Sequence, residues 1–440
     1  MCRESSNLID NEVYDYAYVD LTTGLKNKNY IVYMLPRVMR NKVNSKYSAI
    51  LIGLDDFKTL NDVWGYDFGN KVLNEVGKIL SVDSKNKSIV AYSGSDRFLI
   101  ISYKEESLDN YAEKILNMLR NTLVIEDTQV NLTASMGIYI NTKGEDVFTT
   151  IQNADIALNY AKKQGRDRFS IFNSLMKEKL FRESKVQKNL NKAIKNDLLE
   201  VYYQPKINLK DEKLIGIEAL LRWKDQELGT ISPGEFIPIA EKTGIIIELG
   251  RYVLRKVCRQ IKTWEASGVN YINVAVNISA KQFRDTCLPE YITHILKEHG
   301  LPPSVLELEV TESAIIENIK YADKMLNEFI KEDIKISIDD FGTGYSSYNH
   351  LSQLSLSTIK IDKSFIDFIN CDNKRSLIIK NIIDLAHILD MKVVAEGVEQ
   401  EHQMKTLKEY GCDIIQGYYY SKPLSIQDFE EYIMKTEGKR

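Results

Sequence analysis

Between Leu199 and the C-terminus the chain repeats one pattern eight times: a short apolar run, a polar residue closing it, then a stretch of helical length. The runs are VYYQP (Val201–Pro205), GIEALLRW (Gly216–Trp223), NVAVNIS (Asn273–Ser279), VLELEVTE (Val305–Glu312), KISIDD (Lys335–Asp340), TIKIDK (Thr358–Lys363), KVVAEGVE (Lys392–Glu399) and DIIQGYYY (Asp413–Tyr420). Amphipathic stretches such as Gly250–Trp264 and Asp323–Glu332 lie between most of them. Eight strand–helix units in about 240 residues have the size and rhythm of an α/β barrel of the TIM type. That fold gathers its strand ends on one face, so the residues that close the runs meet there.

The chemically able residues at those ends are Glu218, Asn277, Glu309, Asp339, Asp340, Lys360, Glu396 and Gln416. Each alone has an ordinary explanation: a Glu paired with an Arg, an Asn closing a turn, a Lys in solvent. Together they place five carboxylates on one rim, too much like charge to stand without cations or shared protons. Oxygen donors without Cys or His select hard cations, Mg2+ or Mn2+, over zinc. The adjacent pair Asp339–Asp340 suits two ions, and Gly342 and Gly344 in the loop Phe341–Ser347 let the backbone fold tightly beside a ligand.

At 440 residues the chain exceeds one ordinary core, and two domains are expected. A net charge of -4 leaves no basic footprint for duplex nucleic acid. The five cysteines are scattered without CxxC or His pairing, which points to reduced thiols, a cytoplasmic setting and no zinc site. No apolar run reaches the ~18 residues that would span a bilayer, so neither secretion nor a membrane partner is expected.

Residues 1–17 are polar and are expected to leave no room for a sensor domain ahead of residue 18. Residues 18–172 read as an α+β domain. Strand-like runs at Ser48–Phe57, Ser88–Tyr103 and Val130–Ile140 alternate with helical spacing at Asn70–Leu80, Asn110–Asn121 and Thr150–Lys163. Residues 173–198, free of Gly and Pro, read as a helical connector with a partial apolar stripe of Leu175, Leu180, Val186, Leu190 and Ala193. It is either a stiff link or a cap on the second domain, residues 199–440.

The second domain resembles the EAL family of cyclic di-GMP phosphodiesterases from about residue 181 to 435. Glu218-Ala219-Leu220 stands at the family's motif, and YQP, VNIS, ELEVTES, DDFGTGYSS, IKID, VAEGVE and QGYYYSKP match it in family order. The resemblance implies two Mg2+ or Mn2+ ions, inhibition by Ca2+, linear pGpG as product, and a homodimer formed through the barrel. It makes Glu218, Asn277, Glu309 and Asp339 ligands of one ion, and Asp339 and Asp340 the pair that reaches the second. Glu396 falls near the second ion and the attacking water, and Lys360 close to that water. Gln204, Arg222 and Gln416 match groups on the substrate side or supporting it, and Glu312 matches the acid that holds the loop Phe341–Ser347. The main alternative is a barrel that binds cyclic di-GMP without cutting it; a two-carboxylate glycosidase would leave Lys360 and Asn277 without a role.

The first domain resembles the GGDEF (diguanylate cyclase) family. The matching pieces are DLTTGLKNK (Asp20–Lys28), DDFKTLNDVWGYDFG (Asp55–Gly69), GSDRF (Gly94–Phe98), SMG (Ser135–Gly137) and YAKKQGRDRF (Tyr160–Phe169). The departures are chemical. The signature loop reads Gly94-Ser95-Asp96-Arg97-Phe98, a metal-ligating acid is replaced by Gly53, a guanine-contacting Asp by Asn70, and the product-inhibition site would fall at Lys85 and Ser88. Cyclising GTP needs carboxylate-held divalent ions, so this domain is expected to make no cyclic di-GMP. Asn61, Lys162 and Arg166 still match guanine and phosphate contacts, which leaves two roles: a scaffold, or a GTP-binding regulator.

Overall fold

The computed structural model describes residues 13–40, 47–83, 88–103, 107–141, 145–269, 273–316, 318–342, 354, 356–369 and 373–437. The chain divides into two compact units, Met1–Arg182 and Glu183–Arg440. Lys85 and Thr343–Ser347, on which two of the expectations above fall, lie outside the described residues. Among the described residues no helix is long and apolar enough to cross a membrane.

The first unit is built on β1 (Tyr47–Leu54), whose eight residues are all buried. A strand with both faces covered reads as a continuous apolar run, as YSAILIGL does. Its two faces separate by parity. Ile50, Ile52 and Leu54 pack with the helices Tyr66–Asp83 and Leu108–Arg120, while Ala49 and Leu51 pack with the helix Val147–Lys163. The hairpin β2 (Ser88–Gly94) and β3 (Arg97–Ser102) flanks β1 on one side, with Gly94 and Ser95 at positive φ in its turn. On the other side lie β6 (Ala134–Asn141), antiparallel to β1, and β7 (Phe169–Ile171), parallel to β6. A short hairpin of β4 (Leu123–Ile125) and β5 (Thr128–Val130), and a helix at Phe57–Trp64, were not expected from the sequence pattern.

The second unit is a closed barrel of eight strands. They are β8 (Leu199–Asn208), β9 (Leu214–Asp225), β11 (Asn273–Ile278), β12 (Leu306–Thr311), β13 (Lys335–Phe341), β14 (Thr358–Ile361), β15 (Lys392–Glu396) and β16 (Ile414–Gln416), with β10 (Gly229–Ile231) hung on the edge of β9. From β9 to β16 neighbours are parallel; β8 alone runs antiparallel to both β9 and β16. The eight expected runs therefore all become barrel strands, but the first two are joined as a hairpin rather than as a strand–helix unit. The reason is connection length: Leu209–Lys213 is too short for the crossover that parallel strands need.

Period-two alternation sorts the barrel's side chains. Leu306, Leu308 and Val310 of β12 face outward into the main core with Ile217, Val274, Val276, Ile336, Ile338, Ile359, Ile361 and Val393 of the other strands. The intervening residues fill the lumen, and several are charged: Lys206, Glu218, Glu307, Glu309, Asp339 and Lys360 are all buried. Val186, Leu190, Ala193 and Ile194 of the helix Ser174–Lys195 join the same outer core, while Leu175 and Leu180 are exposed. The second half of the expected connector thus caps the barrel.

The turn after β16 depends on one glycine. Val398 donates its N–H to the carbonyl of Gln416 and accepts from Tyr419, and this clasp leaves no space for a side chain at 417. A Cβ on Gly417 would stand 2.1 Å from the Val398 carbonyl oxygen. Gly417→Ala is therefore expected to lower barrel stability by about 1–3 kcal/mol, read as a drop in the urea midpoint. An unchanged midpoint contradicts the close packing.

Candidate active site

Each inward-facing group at the strand ends arrives on its own strand, and the structure brings them to one cation. The Lys360 ammonium lies 2.6 Å from Glu309 Oε2, 2.6 Å from Glu396 Oε1, 3.1 Å from Asp339 Oδ1 and 3.7 Å from Glu218 Oε2. Asn277 donates from Nδ2 to Glu218 Oε1 at 2.6 Å, which leaves its carbonyl oxygen as a further donor to a cation. Gln416 donates to the other Glu218 oxygen and, at 3.1 Å, to Gln204 Oε1. Glu218, Asn277, Glu309 and Asp339, expected to share an ion, are thus gathered around Lys360 or one bond removed from it.

Asp339 and Asp340 pose a problem that alternation alone does not solve, since adjacent residues on a strand point to opposite faces. A bulge solves it. The register of β13 against β14 slips between Ile338 and Phe341, and Asp340 takes a left-handed φ of 55°. Carboxylate oxygens of Asp339, Asp340 and Glu396 then lie within 4.8 Å of one another, a three-acid group suited to a divalent ion. Asp tolerates that backbone better than most residues, which accounts for an acid rather than a β-branched residue there.

Charge decides what this group needs. Two buried ammoniums, Lys206 and Lys360, face Glu218, Glu307, Glu309, Asp339 and Glu396. Burial works against both ammoniums, yet the surrounding carboxylates outweigh it and raise both lysines, Lys360 well above its ordinary value. Burial also works against ionised Glu309, but Lys206 and Lys360 hold it down to about 2. At Glu218 and Glu396 the lysines are outweighed: burial, aided by the neighbouring acids, raises Glu218 and pushes Glu396 up to about 8. Asp340 is raised too, by burial and by Asp339. Among the described residues too few cations face these acids, so some carboxyls hold protons. A donor set of carboxylates and an amide fits Mg2+ or Mn2+ in place of those protons.

The remaining expected residues fall around this centre. Glu312 accepts the backbone N–H of Gly342 at 2.9 Å, at the root of the loop it was expected to hold. Gln204 reaches Ser421 O with its amide at 3.2 Å. Arg222 lies four residues beyond Glu218 on β9, half-buried, with its guanidinium 5.6 Å from the Tyr202 ring centroid. Sequence reasoning missed Lys206 and Glu307, whose signal was parity: Gln204/Lys206 and Glu307/Glu309 each sit two apart on a strand, on one face.

In the first unit, the expected site residues are held in internal contacts. Arg97 is paired with Asp155 at 2.7 Å and Lys162 with Asp96 at 3.2 Å. The Lys162 ammonium lies 2.8 Å from where a Cβ on Gly53 would be. Asp55 is buried and accepts from Thr133 Oγ1, Ser135 Oγ and the N–H of Asp167. Asn61 Oδ1 is buried without a hydrogen-bond partner, and Arg166 is half exposed, 3.7 Å from Asp56.

Residues 187–423 match the EAL domain family, and residues 17–168 match the family described as diguanylate cyclase, GGDEF domain. The bifunctional diguanylate cyclase/cyclic di-GMP phosphodiesterase MucR of Pseudomonas aeruginosa is 34% identical over 94% of this chain and 61% of its own length. The cyclic di-GMP phosphodiesterase PdeR of Escherichia coli is 33% identical over 94% of this chain and 63% of its own. The chain therefore spans less than two thirds of these curated relatives. The solved PaMucR phosphodiesterase in complex with c-di-GMP is 40% identical, covers 56% of this chain and 99% of that one, and superposes with a TM-score of 0.54.

The protons held by the buried acids make stability depend on pH. Glu396, at about 8 in the folded chain, would release its proton near the ordinary carboxylate value of ~4.3 when unfolded. The folded state binds more protons between those values, so metal-free stability falls as pH rises from about 5 to 8. Glu309, held at about 2, is ionised throughout and adds no slope there. Urea unfolding in chelator at several pH values should show this fall, flattened in Glu396→Gln. An equal slope in the variant contradicts the assignment.

Proposed function

The chain belongs to the EAL domain family and carries a GGDEF domain ahead of its EAL domain; from that premise we propose that it hydrolyses cyclic di-GMP to linear pGpG in the barrel. The observation that carries the reading is the convergence of Glu218, Glu309, Asp339 and Glu396 on buried Lys360, with Asp340 brought alongside by a bulge. The relatives named as cyclic di-GMP phosphodiesterases, and the related solved barrel holding that dinucleotide, support the substrate.

Glu218, Asn277, Glu309 and Asp339 would hold one divalent ion, and Asp339 and Asp340 reach a second. Mg2+ or Mn2+ there supplies Lewis acidity, lowering the pKa of a water and neutralising phosphate oxygens. The chain's own groups do the rest. Lys360 places a fixed positive charge where the transferring phosphate gains negative charge. Glu396, whose carboxyl exchanges its proton near neutral pH, takes the proton of the attacking water. Gln204 and Arg222 orient the dinucleotide from the rim, Gln416 fixes Glu218, and Glu312 anchors the backbone at Gly342.

The first domain, in this reading, makes no cyclic di-GMP and serves as a scaffold or as a GTP sensor. Gly53 offers no ligand at its position, and Arg97, paired with Asp155, brings a cation where the signature loop would place a carboxylate. The unpartnered oxygen of Asn61 is the feature that favours retained guanine binding. A cytoplasmic homodimer completes the reading.

With Mg2+ or Mn2+ the chain is expected to convert cyclic di-GMP to pGpG on chromatography, and EDTA to stop it. Glu218→Ala should lower turnover by about three orders of magnitude, ~4 kcal/mol of transition-state stabilisation. Binding without conversion under either metal would make the barrel a receptor instead. Incubation with GTP and Mg2+ should yield no cyclic di-GMP, and its appearance would contradict the reading of the first domain. Heat on titrating GTP into the chain would make that domain a sensor; none would leave it a scaffold.

A further inference from the structure

We propose that Lys206 weakens the barrel's hold on Ca2+ relative to Mg2+ and Mn2+, by occupying one oxygen of Glu309 so that this carboxylate ligates through the other alone. The inference rests on the reading of Glu309 as a metal ligand. Lys206 is a positioning residue, since it acts only through Glu309.

Both oxygens of Glu309 are held by ammoniums: Oε1 by Lys206 at 2.7 Å, Oε2 by Lys360 at 2.6 Å. The two ammoniums are not equivalent. Lys360 has Glu396, Asp339 and Glu218 within 3.7 Å, so it can release Oε2 to an ion and remain paired. Lys206 stands on β8, the reversed strand, with its side chain 4% exposed. Among the described residues its one other carboxylate within 4.0 Å is Glu307, 3.8 Å away. Glu307 precedes Glu309 by two residues on β12, one layer deeper in the lumen. Released from Oε1, Lys206 would keep only that longer contact in a buried place, so it stays where it is.

This restriction separates the cations by size. Ca2+ takes six to eight oxygens at longer range and draws on bidentate carboxylates; Mg2+, and Mn2+ with it, accepts six in a tight octahedron from single oxygens. A Glu309 limited to Oε2 costs a Ca2+ site one oxygen and costs a Mg2+ site none. The geometry thus builds a bias against Ca2+ into a residue that touches neither ion nor substrate.

Calorimetric titration of the full chain with Mg2+, Mn2+ and Ca2+, without substrate, tests this. Lys206→Met keeps the length of the side chain and frees Oε1, and should raise Ca2+ affinity relative to Mg2+ by about tenfold. Lys206→Arg keeps a donor on Oε1 and should preserve the original ratio. If Lys206→Met does not fold, Lys206→Met with Glu307→Gln removes one charge of each sign and carries the same expectation. A Ca2+/Mg2+ ratio unchanged in the Met variant, or equal gains for both ions, overturns the proposal while leaving the metal site intact. Failure of the unaltered chain to bind any of the three ions overturns the reading of Glu309 as a ligand, and the proposal with it.

Discussion

The buried ammonium of Lys360 is the constraint on which the second domain depends. A lysine 1% exposed survives only because carboxylates from four strands face it. Those carboxylates would in turn repel one another without it. The barrel must therefore close to bring the strands of Glu218, Glu309, Asp339 and Glu396 around one point. The outward residues of the same strands supply the apolar burial that makes closure favourable. Folding energy sits on one parity and chemistry on the other.

That division explains how much was legible in sequence. The strand runs and their closing residues were readable because alternation writes both parities into one string, as LELEV does on β12. Glu218, Asn277, Glu309, Asp339, Lys360 and Gln416 fall in one connected group, because the ends of successive parallel strands meet on a rim whatever lies between them. The reversed first strand was also available, in the five residues Leu209–Lys213, but a search for equal units passes over it. The bulge at Asp339–Asp340 was not available, since a one-residue slip is set by pairing with a neighbour rather than by the local string. Lys206 lay hidden for a related reason: it lies in the first strand run's extension beyond Pro205, and only parity with Gln204 marks it as inward.

The two domains read as opposite treatments of one requirement. In the barrel, acids outnumber the buried cations among the described residues, and burial raises Glu218 and pushes Glu396 up to about 8, so a divalent ion can stand where protons would otherwise be held. In the first domain the balance is already met from within: Arg97 with Asp155, Lys162 with Asp96, and Asp55 with three internal donors. Gly53 and Arg97 sit on β1 and the β2–β3 hairpin, whose apolar residues pack on both faces of the sheet whatever stands at those two positions.

The central claim is that the lumen of the barrel is a divalent-cation site whose acids are only partly offset by Lys360 and Lys206 until an ion arrives. Anomalous diffraction from crystals soaked in Mn2+ addresses it most directly. The account predicts one peak among Glu218, Asn277, Glu309 and Asp339 and a second beside Asp339, Asp340 and Glu396, with Lys360 withdrawn from at least one of its partners. Saturating Mn2+ that leaves no peak in the lumen and all four Lys360 contacts in place would contradict it.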